Sequence, residues 1–282
     1  MRRTTMAALM ALAISSLMAS ALEKREEVPF KLYRGYVIVV RGSIGGLKNL
    51  NLLVDTGAVP SVLDVRIARR LHLQGRPGQV DVPTKALATE QVTVPDVEVG
   101  PLNIGRISAI VQDLSFAEEA LGNRVDAMIG LDVLGQSPFT IDYESKKLVF
   151  GPVDPAFITA SYSPNLPYAI VLLRVRQETL GVLVDTGASN LVLFQRGVRN
   201  CRSAFNTVGR ETWVSMGGDM AVAKVQLLNA YLGNEEWAQR VAYIPENSTR
   251  QLSGLAGLLG TVVLGKRVAF DPVRKVVAWE PK

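Results

Sequence analysis

Two short segments of the sequence carry the same residue types in the same order. Each begins with an apolar run, 52–54 or 182–184, and continues with aspartate, threonine, glycine and alanine. Apolar runs of this kind are typical of buried strands, and a following glycine permits a tight turn. A carboxylate at the end of a buried strand costs free energy unless the protein uses it. Asp55 and Asp185 are therefore the first candidates for chemistry.

The repeat extends beyond these two segments. The apolar segment around Gly130, at 127–135, resembles the segment around Gly260, at 257–265, and the same 130-residue offset separates the two aspartates. Each segment precedes two short apolar runs that predict a hairpin. Internal repetition of this length indicates two structural units built to one plan. We therefore expect a mostly β protein with short helices and two homologous lobes related by a pseudo-twofold axis.

Residues 1–21 have the features of a secretory signal peptide. Arg2 and Arg3 precede an apolar run, and the segment ends on Ala19-Ser20-Ala21, a small-x-small cleavage pattern. The run is shorter than the ~20 apolar residues that span a bilayer, and no later stretch reaches that length. We expect a secreted or periplasmic protein without an integral membrane segment after cleavage.

The remaining chain divides at a proline-rich stretch. We expect a first lobe at 22–151, a linker at 152–167 and a second lobe at 168–282. In the first lobe, Asp64 is a candidate N-cap for a short helix that ends near Leu71, and Pro83 and Pro95 are expected to interrupt the β-rich stretch 80–99. A hairpin tip at 86–89 is only weakly marked in the sequence.

Charge and residue counts exclude several classes of protein. The formal charge of +5 falls to +3 without Arg2 and Arg3, leaving 29 basic against 26 acidic residues, and no basic patch indicates nucleic-acid binding. His72 is the single histidine and Cys201 the single cysteine. They are too few for a zinc site and allow no intrachain disulfide. The chain lacks a G-x-S-x-G elbow and a lysine-containing phosphate loop. We expect neither a metal nor a cofactor.

Two aspartates at matched positions of two matched lobes suggest one joint site. If a pseudo-twofold axis relates the lobes, each turn presents its carboxyl group at that axis. Two carboxyl groups that close share one proton and titrate as a pair. One ionised acid and one protonated acid together supply a general base and a general acid for a single water molecule.

On these motifs the chain resembles the pepsin-like and retropepsin-like aspartic proteases. The resemblance implies that Asp55 and Asp185 are the catalytic acids, which activate a water molecule against a peptide bond without a metal or a covalent intermediate. It further implies supporting roles for six residues. Thr56 and Thr186 brace the two turns against each other, and Gly57 and Gly187 let the backbone approach both acid and substrate. Gly130 and Gly260 support the loops on which the aspartates rest. The family is a known example of two acids sharing a proton.

The resemblance also implies a substrate cleft beneath a hairpin flap. The stretch 213–222 has the pattern of two short strands around Gly-Gly and resembles such a flap. The cleft and flap residues implied are Ala58, Ala188, Trp213, Met216, Gly217 and Gly218. Pepsins carry serine or threonine where this chain has Ala58 and Ala188, so we expect less acidic catalytic groups and an activity optimum closer to neutral than pepsin's.

The leading interpretation is a monomeric aspartic endopeptidase that acts on peptides or unfolded proteins. The alternative is a catalytically silent peptide-binding module of the same fold, although a pure binder has no need to retain both aspartates and both threonines. A third interpretation takes Asp-x-Gly as the phosphate-loop motif of an actin-like or sugar-kinase fold. It leaves the repeated segments around Gly130 and Gly260 unexplained.

Overall fold

A computed structural model describes residues 25–81, 86–215, 218–246 and 255–280. The expected signal peptide at 1–21 lies outside these ranges, as do Pro83, Met216 and Gly217. Among the described residues, no helix has the length and apolar character needed to cross a membrane.

In the part of the first lobe that the structure describes, there are ten strands and three short helices. The strands are β1 Glu26–Tyr33, β2 Val37–Ile44, β3 Leu47–Val54, β4 Val62–Asp64, β5 Arg76–Asp81, β6 Ala86–Val99, β7 Leu102–Gln112, β8 Ala127–Ile129, β9 Phe139–Asp142 and β10 Lys147–Phe150. The helices are α1 Val65–Arg70, α2 Ser115–Leu121 and α3 Leu131–Leu134. Asp64 caps α1, as predicted, because its side chain accepts a hydrogen bond from the Arg66 N–H at 2.9 Å.

The described residues of the second lobe form twelve strands, a 3₁₀ helix at Arg199–Ala204 and one α-helix, α4 Thr261–Leu264. The strands are β11 Ile158–Ser161, β12 Ile170–Val175, β13 Glu178–Asp185, β14 Leu191–Leu193, β15 Phe205–Ser215, β16 Gly218–Leu227, β17 Ala230–Leu232, β18 Glu235–Glu236, β19 Val241–Pro245, β20 Gly257–Gly260, β21 Arg267–Asp271 and β22 Val276–Trp279. The mostly β fold with two sheets and few short helices is confirmed.

The strands that carry the aspartates occupy matching places in the two sheets. In the first lobe β3 pairs in parallel with β8, and β8 pairs antiparallel with β4. In the second lobe β13 pairs in parallel with β20, and β20 pairs antiparallel with β14. The side chains of these strands alternate into a buried core that extends through both lobes. The 130-residue repeat is therefore a repeat of strand pairing as well as of sequence.

A shared antiparallel sheet joins the two lobes. Its strand order is β11-β22-β21-β9-β10-β1, and β1 continues into the first-lobe sheet. At its centre Phe139 pairs with Phe270, Thr140 with Ala269, and Ile141 with Val268. Asp142 and Asp271 each accept two N–H groups in the turn that follows, so these aspartates correspond and Thr140 corresponds to Ala269. Because Thr140 pairs with Ala269, the pseudo-twofold axis passes through that residue pair.

Three details of the fold differ from the sequence-based expectations. Residues 86–89 lie within β6 and pair with β5, so the expected hairpin tip at these residues is wrong. Pro95 does not interrupt β6; it lies opposite Arg106 in the pairing with β7. A proline in a strand lacks only its N–H donor, and the same register with β7 resumes at Val97, after Asp96 with its φ of 36°. The expected linker 152–167 contains β11, which pairs with β22.

Candidate active site

The backbone of each half places its aspartate at the end of a buried strand. Asp55 directly follows β3, and its N–H donates to the Ile129 carbonyl of β8 at 2.9 Å. Asp185 is the last residue of β13 and lies opposite Gly260 of β20. Val54 and Val184, which precede the acids, are completely buried. Burial of these apolar strands thus brings both carboxyl groups to the junction between the lobes.

Thr56 and Thr186 hold the two turns together through four hydrogen bonds. The Thr56 N–H donates to Thr186 Oγ1 and the Thr186 N–H donates to Thr56 Oγ1, each at 3.0 Å. Thr56 Oγ1 donates to the Val184 carbonyl at 2.9 Å, and Thr186 Oγ1 donates to the Val54 carbonyl at 2.8 Å. Both threonines are buried. The two turns are therefore fixed relative to each other by a symmetric network that water does not reach.

The two carboxyl groups lie close together across the lobe junction, since an ideal Cβ atom at Gly187 would lie 3.0 Å from Asp185 Oδ1 and 3.5 Å from Asp55 Oδ1. Each also accepts a backbone N–H from its own turn: Asp55 Oδ1 from Gly57 at 3.0 Å, and Asp185 Oδ1 from Gly187 at 2.7 Å. A Cβ atom at Gly57 would lie 2.7 Å from Asp185 Cγ. Any side chain at position 57 would therefore clash with the Asp185 carboxyl group.

Burial raises the pKa of both carboxyl groups, but to different extents. For Asp55, the hydrogen bond from Asp185 and the N–H groups of Gly57 and Ala58 oppose the effect of burial on the pKa. For Asp185, the negative charge of Asp55 adds to burial, so its pKa lies well above the ordinary value. Two adjacent acids cannot both ionise readily. The environment thus favours a pair with one ionised and one protonated carboxyl group.

Gly130 and Gly260 lie directly beneath the two turns. A Cβ atom at Gly130 would collide with the Ala58 carbonyl oxygen, and one at Gly260 would collide with the Ala188 carbonyl oxygen. Glycine at both positions therefore lets the backbone of each turn pack directly against the backbone beneath it. The structure brings six supporting residues together around the acids: Thr56, Thr186, Gly57, Gly187, Gly130 and Gly260.

Ser61 and Asp132 support the first turn, although neither was predicted from the sequence as a site residue. Asp132 Oδ1 accepts the Ser61 hydroxyl at 2.7 Å, and its Oδ2 accepts the Ser61 N–H at 2.9 Å. Ser61 Oγ in turn accepts the Gly130 N–H at 2.9 Å. The chain of hydrogen bonds connects Asp132 to the glycine that lies under the Asp55 turn.

The second lobe has no such polar pair at the matching positions. At the 130-residue offset, Ser61 corresponds to Leu191 and Asp132 corresponds to Val262. There the Gly260 N–H donates to the Asn190 carbonyl at 3.0 Å instead. The exchange of a polar pair for an apolar pair was visible in the aligned repeat. It is the signal by which sequence comparison of the two halves could have identified Ser61 and Asp132.

Each lobe contributes one long hairpin at the edge of its sheet. In the second lobe β15 pairs with β16 from Phe205 to Ser215, and in the first lobe β5 pairs with β6 from Arg76 to Asp81. Each hairpin extends by four residue pairs beyond the part that pairs with β7 or β19. These pairs join 78–81 to 86–89 in the first lobe and 212–215 to 218–221 in the second. The first hairpin is therefore a full counterpart of the second, although its sequence marks it only weakly.

Trp213 lies on the second hairpin and packs against the lobe rather than standing free. Its ring lies 4.7 Å from the ring of Tyr243 on β19, measured between centroids. Its Nε1 donates to Glu211 Oε2 at 3.2 Å. Gly218 begins β16 opposite Ser215, while Met216 and Gly217 fall outside the described residues. Of the four predicted flap residues, the structure thus describes Trp213 and Gly218.

The residues that a metal or nucleophilic site would need are dispersed. Within the described ranges, no three His, Cys, Asp or Glu side chains form a group that could hold a metal ion. His72 is exposed in the turn after α1. Cys201 is buried in the second lobe, where burial raises the pKa of its thiol. Among the described residues, the paired aspartates are therefore the reactive side chains that the fold brings together.

Comparison with known proteins agrees with this geometry. Residues 40–133, which include Asp55, Ser61, Gly130 and Asp132, match the model of a family described as aspartyl protease. The match confirms the predicted resemblance to the aspartyl proteases of the pepsin-like and retropepsin-like clan and supports a peptidase-type function. No curated protein matches the chain.

Proposed function

We propose that this protein is an aspartic endopeptidase in which Asp55 and Asp185 are the catalytic acids. The observation that carries the proposal is the pair of adjacent carboxyl groups at the lobe junction, whose turns are held by the reciprocal bonds of Thr56 and Thr186. Keeping two carboxyl groups side by side is unfavourable for stability, because burial and mutual repulsion oppose their ionisation. Such an arrangement is what general acid and base catalysis at one water molecule requires.

In the proposed mechanism the two acids have different first tasks. Ionised Asp55 accepts a proton from a water molecule, whose oxygen forms a bond to the scissile carbonyl carbon. Protonated Asp185 donates its proton to the carbonyl oxygen, which gives a neutral geminal diol. Asp55 then gives its proton to the amide nitrogen, Asp185 takes back a proton from the diol, and the C–N bond breaks. The products are a carboxylic acid and an amine, and both acids return to their starting states.

The substrate is proposed to be an extended peptide or an unfolded stretch of protein. The hairpins β5–β6 and β15–β16 provide edges along which an extended chain can form backbone hydrogen bonds. Closure of such hairpins removes water from a cleft. Because one chain supplies both acids, a monomer suffices. The features of residues 1–21 support action in the periplasm or outside the cell.

Cleavage of a mixed peptide library between pH 3 and 8 tests the proposal. We expect the wild-type protein to cut, and Asp55→Asn and Asp185→Asn each to abolish cutting while the fold persists. Asp113→Asn is the matched control, since Asp113 is an exposed aspartate whose side chain accepts only the nearby Ser115 N–H. Pepstatin should inhibit the wild type.

Two results would contradict the proposal. Cleavage that survives both substitutions would show that other residues carry the reaction. A folded wild-type protein that binds extended peptides but cuts none across this pH range would instead establish a silent binding module.

A further inference from the structure

The two lobes contain the same turn after β9 and β21, but the residue that follows its first aspartate differs between them. Asp142 Oδ1 accepts the N–H groups of Glu144 and Ser145 at 3.0 and 2.8 Å. In the second lobe Asp271 Oδ1 accepts the corresponding N–H groups of Val273 and Arg274 at 3.0 and 2.9 Å. The turns end at Lys146 and Lys275, both with φ of 55°.

These matching turns make Tyr143 and Pro272 structural equivalents, since each directly follows the aspartate that accepts the two N–H groups. The equivalence rests on hydrogen bonds and backbone angles as well as on sequence order. A large aromatic side chain in one lobe is thus replaced by a small ring in the other.

In its own position, Tyr143 fills the space between the lobes beside the second catalytic turn. Its hydroxyl lies 2.6 Å from Thr261 Oγ1, and its ring packs edge-on against Phe30 with centroids 6.3 Å apart. Burial, together with the nearby charge of Asp185, raises its pKa to about 12. The phenol group is therefore held by three elements: the turn after β9, the start of α4 and strand β1.

The equivalent position in the other half is a cavity of about 200 Å³. Its walls include Pro272, Leu131 and Tyr162, which correspond to Tyr143, Thr261 and Phe30. The correspondence of Tyr162 with Phe30 follows from strand pairing, because Tyr162 lies opposite Val171 as Phe30 lies opposite Val40. The cavity therefore lies where a second tyrosine ring would be if the lobes were identical.

We propose that this cavity is a binding site for a small phenol. Its size agrees with one aromatic ring, because an apolar protein cavity of ~150 Å³ binds benzene. The exposed residues Leu166 and Pro167 line it, so its mouth opens at the segment between the lobes. The ring of the ligand packs edge-on against Tyr162, as Tyr143 packs against Phe30.

The polar lining gives the reason for a hydroxyl group on the ligand. Asp132 lines the cavity, and Ser61 occupies only two of the roughly four hydrogen-bond positions on its carboxylate. The Lys275 ammonium group lies 5.8 Å from the centre of the Tyr162 ring at the same cavity. A phenol can donate its hydroxyl hydrogen to Asp132 while its ring contacts the apolar walls. The site is independent of the proposed proteolysis, although Val59 of the first catalytic turn lines it as well.

Binding of p-cresol to the whole protein, measured by calorimetry and by NMR shift changes, tests the proposal. We expect saturable binding of p-cresol, and binding of toluene that is about tenfold weaker because toluene lacks the hydroxyl donor. Pro272→Tyr restores the side chain found in the other lobe and fills the cavity. It should weaken p-cresol binding by about tenfold or more and raise Tm. Val273→Ala is the control, since Val273 is 81% exposed in the same turn and does not line the cavity.

A second variant keeps the test decisive if Pro272→Tyr does not fold. Leu131→Phe enlarges the opposite wall and should also abolish p-cresol binding. The proposal is overturned if the wild type does not bind p-cresol, if toluene binds equally well, or if a folded filled variant binds p-cresol as tightly as the wild type does. Because the readout is binding, failure of the proposed protease activity would leave this result unaffected.

Discussion

The hydroxyl groups of Thr56 and Thr186 each accept the other residue's backbone N–H at 3.0 Å, although the two residues are 130 positions apart in the chain. Each hydroxyl then donates to the carbonyl that precedes the partner lobe's aspartate, that of Val184 or Val54. The bonds that orient each aspartate-bearing turn therefore come from the opposite lobe.

Replacing Thr56 by valine keeps the shape of the side chain and removes its hydroxyl. The Val184 carbonyl and the Thr186 N–H would then be buried without a partner, and each such group costs ~1–3 kcal/mol. We expect Thr56→Val to lower the free energy of unfolding by about 2–6 kcal/mol, measured by denaturant titration. Thr56→Ser retains the hydroxyl and serves as the control. Equal stability of the valine and serine variants would show that the hydrogen bonds contribute little.

Ser61 and Asp132 should behave as one unit in stability measurements. Because they share two hydrogen bonds, the effects of Ser61→Ala and Asp132→Asn should not add. We expect the double variant to be more stable than the sum of the single effects predicts, by ~0.5–3 kcal/mol. A double-mutant cycle by denaturant unfolding measures this coupling, with Ser61→Ala combined with Asp113→Asn as the uncoupled control. Additive effects in the first cycle would contradict the connection.

The carboxyl pair should make the protein less stable as the pH rises above the ordinary aspartate pKa of 3.8. The pKa of Asp185 is raised in the folded state, so above that pH the folded protein binds more protons than the unfolded chain. Stability then falls with increasing pH until the raised pKa is passed. Asparagine resembles the protonated acid and carries no such pH dependence.

We therefore expect Asp185→Asn to unfold at a higher temperature than the wild type near pH 7, with the difference shrinking toward pH 3. Thermal unfolding across this range measures it. Asp113→Asn controls for the loss of a surface charge. A difference that stays constant with pH, or grows as the pH falls, would contradict the raised pKa.

Adding a hydroxyl group beside Asp55 should shift the pH dependence of peptide cleavage. The Ala58 N–H already lowers the pKa of Asp55, so residue 58 is adjacent to that carboxyl group. In Ala58→Ser a second donor favours the ionised form, and the acidic limb of the rate profile should move to lower pH. Ala58→Cys, which carries a weaker donor of similar size, is the control. A cysteine variant that shifts the profile as far as the serine variant does would point to side-chain size as the cause.

Trp213 offers a test of the second hairpin as a flap. Removing its ring in Trp213→Ala loses the contact with Tyr243, and we expect kcat/KM for extended peptides to fall about tenfold. Trp213→Phe should keep most of the activity, because a phenylalanine ring can still pack against Tyr243. Steady-state kinetics on peptides of different lengths measures this effect. Equal losses for short and long peptides would argue against a flap that closes over an extended chain.

Much of the fold could be predicted because it repeats in the sequence. The offset shared by Asp55 and Asp185 and by Gly130 and Gly260 indicated two lobes, and apolar runs indicated the strands that carry them. Where a segment lacks its own signal, prediction failed. Residues 86–89 form part of β6 because pairing with β5 outweighs their weak local preference, and Pro95 is tolerated because the pairing with β7 keeps one register on both sides of it.

The sequence by itself determined the chemistry that this protein can offer: two equivalent aspartates, one histidine, one cysteine and no phosphate loop. Only the tertiary structure decided how the two halves differ. Ser61 and Asp132 support one turn, Tyr143 fills one side of the junction, and Pro272 leaves the other side open. The physical reason is that pKa values, hydrogen-bond partners and cavities depend on distances between groups far apart in the chain. Strand pairing across the lobes sets those distances.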